Sequence, residues 1–199
     1  GAAAAQRATL QLAAGARLEW LPLETIAYRG CNGENRVQIA LDAGAEAIGW
    51  DVLALGLPAA GAVFDAGSFR QHLELSGCWL ERGRIDGADE RLLSSPLGLA
   101  GHRVIATVWL ATGTPLSAAQ RDVLLDAARQ AVAGAPADLR CGATSPHERV
   151  VVLRVLAALI FGVLTISVVT VIFFLGAVVT FVLINDVPAL QGVPFDLDV

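Results

Sequence analysis

Two carboxylates five residues apart, Glu19 and Glu24, bracket a proline in the run Arg17-Leu-Glu-Trp-Leu-Pro-Leu-Glu-Thr-Ile26. Their neighbours are bulky and apolar. A carboxylate partly withdrawn from water titrates above its usual range unless it is paired or hydrogen-bonded, and it is a hard ligand for a divalent cation. Glu24 therefore has two readings: it lines a polar passage for a hydrated divalent ion, or it accepts backbone N–H bonds at a corner of the chain. Other chemistry has little to draw on. The sequence contains no G-x-S-x-G, no phosphate-binding loop with Lys and no H-E-x-x-H. His72, His102 and His147 have no ligand spacing, and His72 shares a strand face with Arg70 and Glu74, which reads as a solvated imidazole. Asp86, Asp89 and Glu90 read as a solvated acidic turn. Cys31, Cys78 and Cys141 are too far apart for a zinc spacing or a disulfide framework and read as free thiols. These residues describe a chain that binds rather than an enzyme.

The elements that must hold the carboxylates are mostly strands. Leu18, Trp20, Thr25 and Ile26 favour extended backbone, and Pro22 removes one ladder donor between them, which places an edge, a bulge or a corner there. Val37, Ile39 and Leu41 alternate with polar or small residues, as do Phe69, Gln71, Leu73 and Leu75, so both runs read as half-buried strands. Residues 78–85, 103–111 and 148–154 read as further strands, with turn punctuation about every ten residues. One helix is signalled. Ser117 and Gln120 form a capping box, Val123, Leu124, Ala127, Ala128 and Ala131 an apolar stripe, and Gly134 with Pro136 a stop. A weak echo links Leu12-Ala-Ala-Gly-Ala16 and Trp20 to Leu41-Asp-Ala-Gly-Ala45 and Trp50. It reads either as one repeating layer of a winding or as coincidence in an Ala/Gly-rich chain.

Composition narrows the class. Apolar residues make up 55% of the 199 and charged ones 17%, with a net charge of −5. Residues 1–154 carry 14 Arg against 16 Asp plus Glu, a near-neutral mixture without the footprint of a nucleic-acid binder. The sequence has no Met and opens on Gly-Ala-Ala-Ala-Ala, which predicts an upstream continuation and a truncated first part of the fold.

The wording L-E-W-L-P-x-E-T-I resembles the urease accessory protein UreD (UreH) family. So does the ordered series Val37–Ala45, Gly49-Trp50, Gly56–Gly61, Phe69–Glu74, Leu80–Arg82, Asp86–Asp89 and Leu97–Gly101, so that the likeness covers residues 1–154. The resemblance implies a mainly β fold, a β-helical, solenoid-like winding of short strands with one or two covering helices. It implies a urease maturation chaperone that docks on the urease structural subunits, works with accessory proteins F and G, and has no cofactor of its own, nickel being in transit. Glu19, Trp20, Pro22, Glu24, Gly49 and Trp50 are the partner or nickel-path candidates, with no assigned metal site. Leu23 replaces the family's usual Gln, and Tyr28-Arg-Gly-Cys31 its Phe-Asp-Gly-Ala; Arg29 in that place repels a cation.

Val155 to Ile184 departs from the family. It is 30 residues without a charge, 21 of them Leu, Ile, Val or Phe. As a helix it would be about 45 Å long, enough to cross a hydrocarbon core of ~30 Å; two buried strands are the other reading. Arg149 and Arg154 before it and Asp186, Asp196 and Asp198 after it orient residues 1–154 toward the cytoplasm, tethered to the inner membrane, with 185–199 as a short outer tail. The competing expectation is a membrane-tethered β binding module or a non-functional fusion remnant.

Overall fold

The structure, a computed structural model, describes residues 3–57, 60–136 and 138–158. The chain starts by winding. Strand β1 (Ala3–Leu12) turns at Gly15 into β2 (Arg17–Trp20) and β3 (Thr25–Ala27); β4 (Cys31–Leu41) turns at Gly44 into β5 (Glu46–Leu57). β1 pairs with β4 in parallel from Ala3↔Asn32 to Leu12↔Leu41, and β2 pairs with β5 in parallel from Arg17↔Glu46 to Trp20↔Gly49. The turns stack as well: the Gly15 N–H donates to the Ala43 carbonyl at 3.3 Å, and Glu46 N–H to the Ala16 carbonyl at 2.9 Å. Both glycines hold φ of 72°, where a side chain would be strained. The echo in the sequence is thus two coils of one winding laid on each other.

The winding then stops. After β6 (Ala62–Val63), β7 (Gly67–Leu75) adds a third parallel strand beside β4, but the turn at Gly77 sends β8 (Trp79–Asp86) back antiparallel within the same sheet. A short helix, α1 (Glu90–Ser94), precedes β9 (Val104–Thr112), which pairs antiparallel with β5. Helix α2 (Ala118–Val132), β10 (Arg140–His147) and β11 (Val150–Ala157) complete the described chain. The result is two sheets, ordered β1-β4-β7-β8 and β10-β11-β9-β5-β2, with β3 and β6 also on β5. A solenoid-like start is finished as a mixed sandwich.

Strand alternation decides what faces what. Leu12, Val37, Ile39, Leu73 and Leu75 of the first sheet pack against Ala47, Trp109, Ala111, Val150 and Val152 of the second. Phe69 meets Leu53 and Leu55 further along. The opposite face of the second sheet, including Val52, Ala54, Val108, Leu153 and Val155, is covered by α2 through Ala128, with Leu124 on Leu110 and Val151. Both halves of the capping box form, Ser117 Oγ accepting from Gln120 N and Gln120 Oε1 from Ser117 N. Val123 does not join the stripe; one residue step of 100° from Leu124 leaves it exposed.

The expected membrane helix requires a correction at its start. Val155 to Ala157 are extended, the end of β11, paired with β9 as Val155↔Ala106 and Ala157↔Val104. Their apolar run lies in a strand with neighbours on both sides, Val155 and Ala157 buried in the cluster under α2 and Leu156 half-buried on the other face, a setting that needs no lipid. Among the described residues no helix is long and apolar enough to cross a membrane. The remainder of the expected span, from 159, and the tail 185–199 lie outside the described residues.

Candidate polar layer between the sheets

The corner around Pro22 forms because two strands share one partner out of step. β2 pairs with β5 as far as Trp20↔Gly49, and β3 resumes at Thr25↔Leu53, so Leu21 to Glu24 bridge a gap spanned on β5 by Trp50, Asp51 and Val52 alone. The extra residue makes the chain bulge, where a proline without an N–H costs no ladder bond. The Trp50 indole N–H donates to the Pro22 carbonyl at 2.7 Å and holds the corner down. Trp50→Phe keeps a smaller aromatic ring but strands that carbonyl, so a loss of at least about 1 kcal/mol in urea unfolding is expected, with no change in secondary structure by circular dichroism.

Glu19 and Glu24 are both exposed there, beside exposed Leu21, Leu23 and Tyr28. Trp20 points inward instead. It lies opposite Gly49, and a Cβ at Gly49 would sit 2.4 Å from the Trp109 ring and 2.7 Å from the Trp20 carbonyl. Of the four indoles, Trp109 is 1% exposed, and Trp20, Trp50 and Trp79 are half-buried against core residues.

Level with the corner gap, and pointing between the sheets, is Asp51, only 8% exposed. Asn35 Nδ2 donates to its Oδ1 at 2.8 Å, and Gln71 Nε2 donates to its Oδ2. Burial lifts the Asp51 carboxyl above its ordinary 3.8, against those two hydrogen bonds and with help from the charge of Glu81. The Asn35 Oδ1 is buried with no donor. Register extends the polar row across the sandwich. Asp51, Thr107 and Arg154 are successive partners in one sheet, Gln6, Asn35 and Gln71 in the other, and Arg154 meets Glu81 at 2.5 Å on the far side. This polar layer separates the apolar cluster around Trp109 from the one around Leu53 and Phe69.

The layer offers oxygen: two carboxylates, amide carbonyls and a threonine hydroxyl. Among the described residues no three His, Cys, Asp or Glu converge on a point that would hold a metal ion. Sequence reasoning found the corner and missed Asp51, whose inward place follows from the pairing of its strand with β9. His72 is half-buried rather than solvated, with Nε2 2.8 Å from Glu74 Oε2.

A two-sheet β scaffold with a polar interior layer, a bulged edge corner and one covering helix is the class of protein these features define. The family model described as "UreD urease accessory protein" matches residues 1–163. The chain belongs to the UreD urease accessory protein family. It is 56% identical over 160 residues to the urease accessory protein UreD of Variovorax paradoxus, covering 80% of this chain and 58% of that one. Against the UreD of a Polaromonas species (strain JS666) the figures are 52%, 80% and 58%. With Polaromonas naphthalenivorans UreD they are 50% over 165 residues, 83% and 60%. The chain therefore spans about three fifths of the length of the curated relatives it matches.

Proposed function

We propose that the chain is a scaffold for urease maturation that holds the urease apoprotein, works beside accessory proteins F and G, and lets nickel pass as cargo through the polar layer between its sheets. The observation that carries this reading is the buried Asp51 with its orphaned neighbour, Asn35 Oδ1. A buried amide oxygen without a protein donor, beside an ionisable carboxylate, is a place where a polar guest such as a water or an ion is held. Oxygen donors suit transit. Ni²⁺ is held tightly by imidazole and thiolate, so a row of carboxylate and amide oxygens passes the ion on rather than storing it. The Pro22 corner, with Glu19 and Glu24 outside and Asp51 behind, is the proposed mouth. Leu21, Leu23 and Tyr28 around it are the proposed contact for the urease subunits, large apolar side chains in water beside a bulged edge.

The test is restoration of urease activity in cells that lack their own UreD, with nickel in the medium. Restored activity, and co-purification of urease subunits with this chain, are the expected results. If a full-length relative restores activity and this chain neither does so nor retains the subunits, the reading is lost for this chain.

A further inference from the structure

The outer face of the β1-β4-β7-β8 sheet bears a row of basic residues that the polar layer does not use. Register puts Arg7 opposite Arg36, Arg36 opposite His72 and His72 opposite Arg82, one basic residue on each of four strands. At about 4.8 Å between strands the row is roughly 14 Å long. In the next row Arg70 faces Arg84 directly. Like charges directly opposite each other destabilise a sheet, and Arg7–Arg36 and Arg70–Arg84 are two such pairs. Acidic neighbours answer some of them. Glu34 takes Arg7 at 2.9 Å, Glu74 takes His72 at 2.8 Å and Arg36 at 4.0 Å, and Asp86 takes Arg84 at 3.0 Å. Arg70 and Arg82, both exposed, have no acidic partner among the described residues, and Arg36 Nε is buried without an acceptor. Glu74 is held below its ordinary range by hydrogen bonds from His72 and Gln38.

We infer that this face docks a partner protein through an acidic patch on the partner, with Arg70 and Arg82 as the anchoring cations. The argument is charge complementarity. Five arginines gather on one face of a chain whose net charge is −5, and the two without partners are diagonal neighbours, roughly 7–8 Å apart, reachable by carboxylates on one strand or helix face. A protein fits better than a polyphosphate, because Glu34, Glu74 and Asp86 are interleaved with the arginines and would repel an unbroken run of phosphates. A mixed surface with an acidic excess can avoid them. None of the apolar clusters of the described residues draws on this face. The inference does not depend on nickel passing through the interior.

Labelled poly-L-glutamate is the probe, titrated with the 199-residue chain by fluorescence anisotropy at low salt. Duplex DNA and phosphatidylserine vesicles are the comparators. Arg70→Glu/Arg82→Glu is set against Arg91→Glu/Arg140→Glu, which makes the same change of net charge on exposed residues elsewhere. The expected result is that poly-L-glutamate binds the wild-type chain and binds the first variant about tenfold more weakly, with the second variant close to wild type and all melting temperatures alike. The inference is overturned if the probe does not bind the wild-type chain, if both variants weaken equally, or if neither does. It is also overturned if DNA or vesicles bind through Arg70 and Arg82 more tightly than the polypeptide. A failure to restore urease activity would leave these results standing, and a failure here would leave the activation result standing.

Discussion

Trp109→Ala is expected to lower the unfolding free energy by about 3–5 kcal/mol. The indole is 1% exposed and lies between the sheets, among Leu12, Val37, Ile39, Leu73 and Leu75 from one and Ala47 and Val152 from the other. Sheets packed about 10 Å apart cannot close over a lost indole without sliding, so most of the cavity stays. For a chain of this length each kcal/mol shifts the melting temperature by roughly 2–4 °C, so the midpoint should fall by about 6–20 °C. Gly49→Ala attacks the same place from the other side, since the new methyl would overlap the ring. It should cost about 1–3 kcal/mol. The two are coupled. In the double variant the methyl enters space the indole has left, and the loss should fall short of the sum by about 1 kcal/mol. The Trp20 carbonyl, 2.7 Å from the same methyl, keeps the rescue incomplete. Strict additivity in urea melts would show that ring and glycine do not share that space.

Asp51→Asn should do the opposite at neutral pH. Burial raises the folded-state pKa of Asp51, so the folded chain holds that proton more tightly than the unfolded one. The stabilisation from this group is complete below the unfolded value near 3.8 and is lost as pH climbs through the raised folded value. At pH 7 the charged carboxylate is therefore a burden. Asparagine keeps the shape, and a turned-over Asn35 amide presents Oδ1 in place of Nδ2 to accept from the new NH2, while Gln71 still donates to the remaining oxygen. The variant is expected to be more stable than wild type by on the order of 1 kcal/mol at pH 7, with the advantage fading toward about pH 4. If Asp51 serves the passage of nickel, the same variant should lower urease activation severalfold while melting higher. A variant that melts lower than wild type at pH 7 would show that the carboxylate is structural.

Much of the architecture was legible because alternation and turn residues act locally. β4, β7, β8, β9 and α2 fall where periodicity placed them, and the repeated Gly turns announced the two coils. The change from winding to sandwich was not legible. Whether the chain after Leu75 crosses to the other sheet or folds back depends on what already occupies that sheet, and β9 and β11 come later in the sequence. β10 was hidden because Arg140–His147 carries Gly142 and Pro146 and is mostly exposed, as befits an edge strand. The apolar run from Val155 shows the limit of hydropathy. A strand buried between a sheet and a helix is as continuous in its apolar residues as the beginning of a membrane segment, and Val155–Ala157 belong to the former. For the site, the proline corner could be read from the chain. The inward carboxylate could not be singled out, because its meaning depends on Asn35 and Gln71 arriving from two other strands.

The two stacked coils keep the same offset, 29 residues, from Ala3↔Asn32 through both glycine turns to Trp20↔Gly49. A ratchet of that kind has no slack. Losing or gaining one residue between Leu12 and Arg17 would turn β2 over, driving Glu19 inward to the place of Leu18 or Trp20 and the indole out into water. Length differences among relatives should therefore gather beyond the coils, at places such as the Pro22 bulge where the backbone has already fallen out of step.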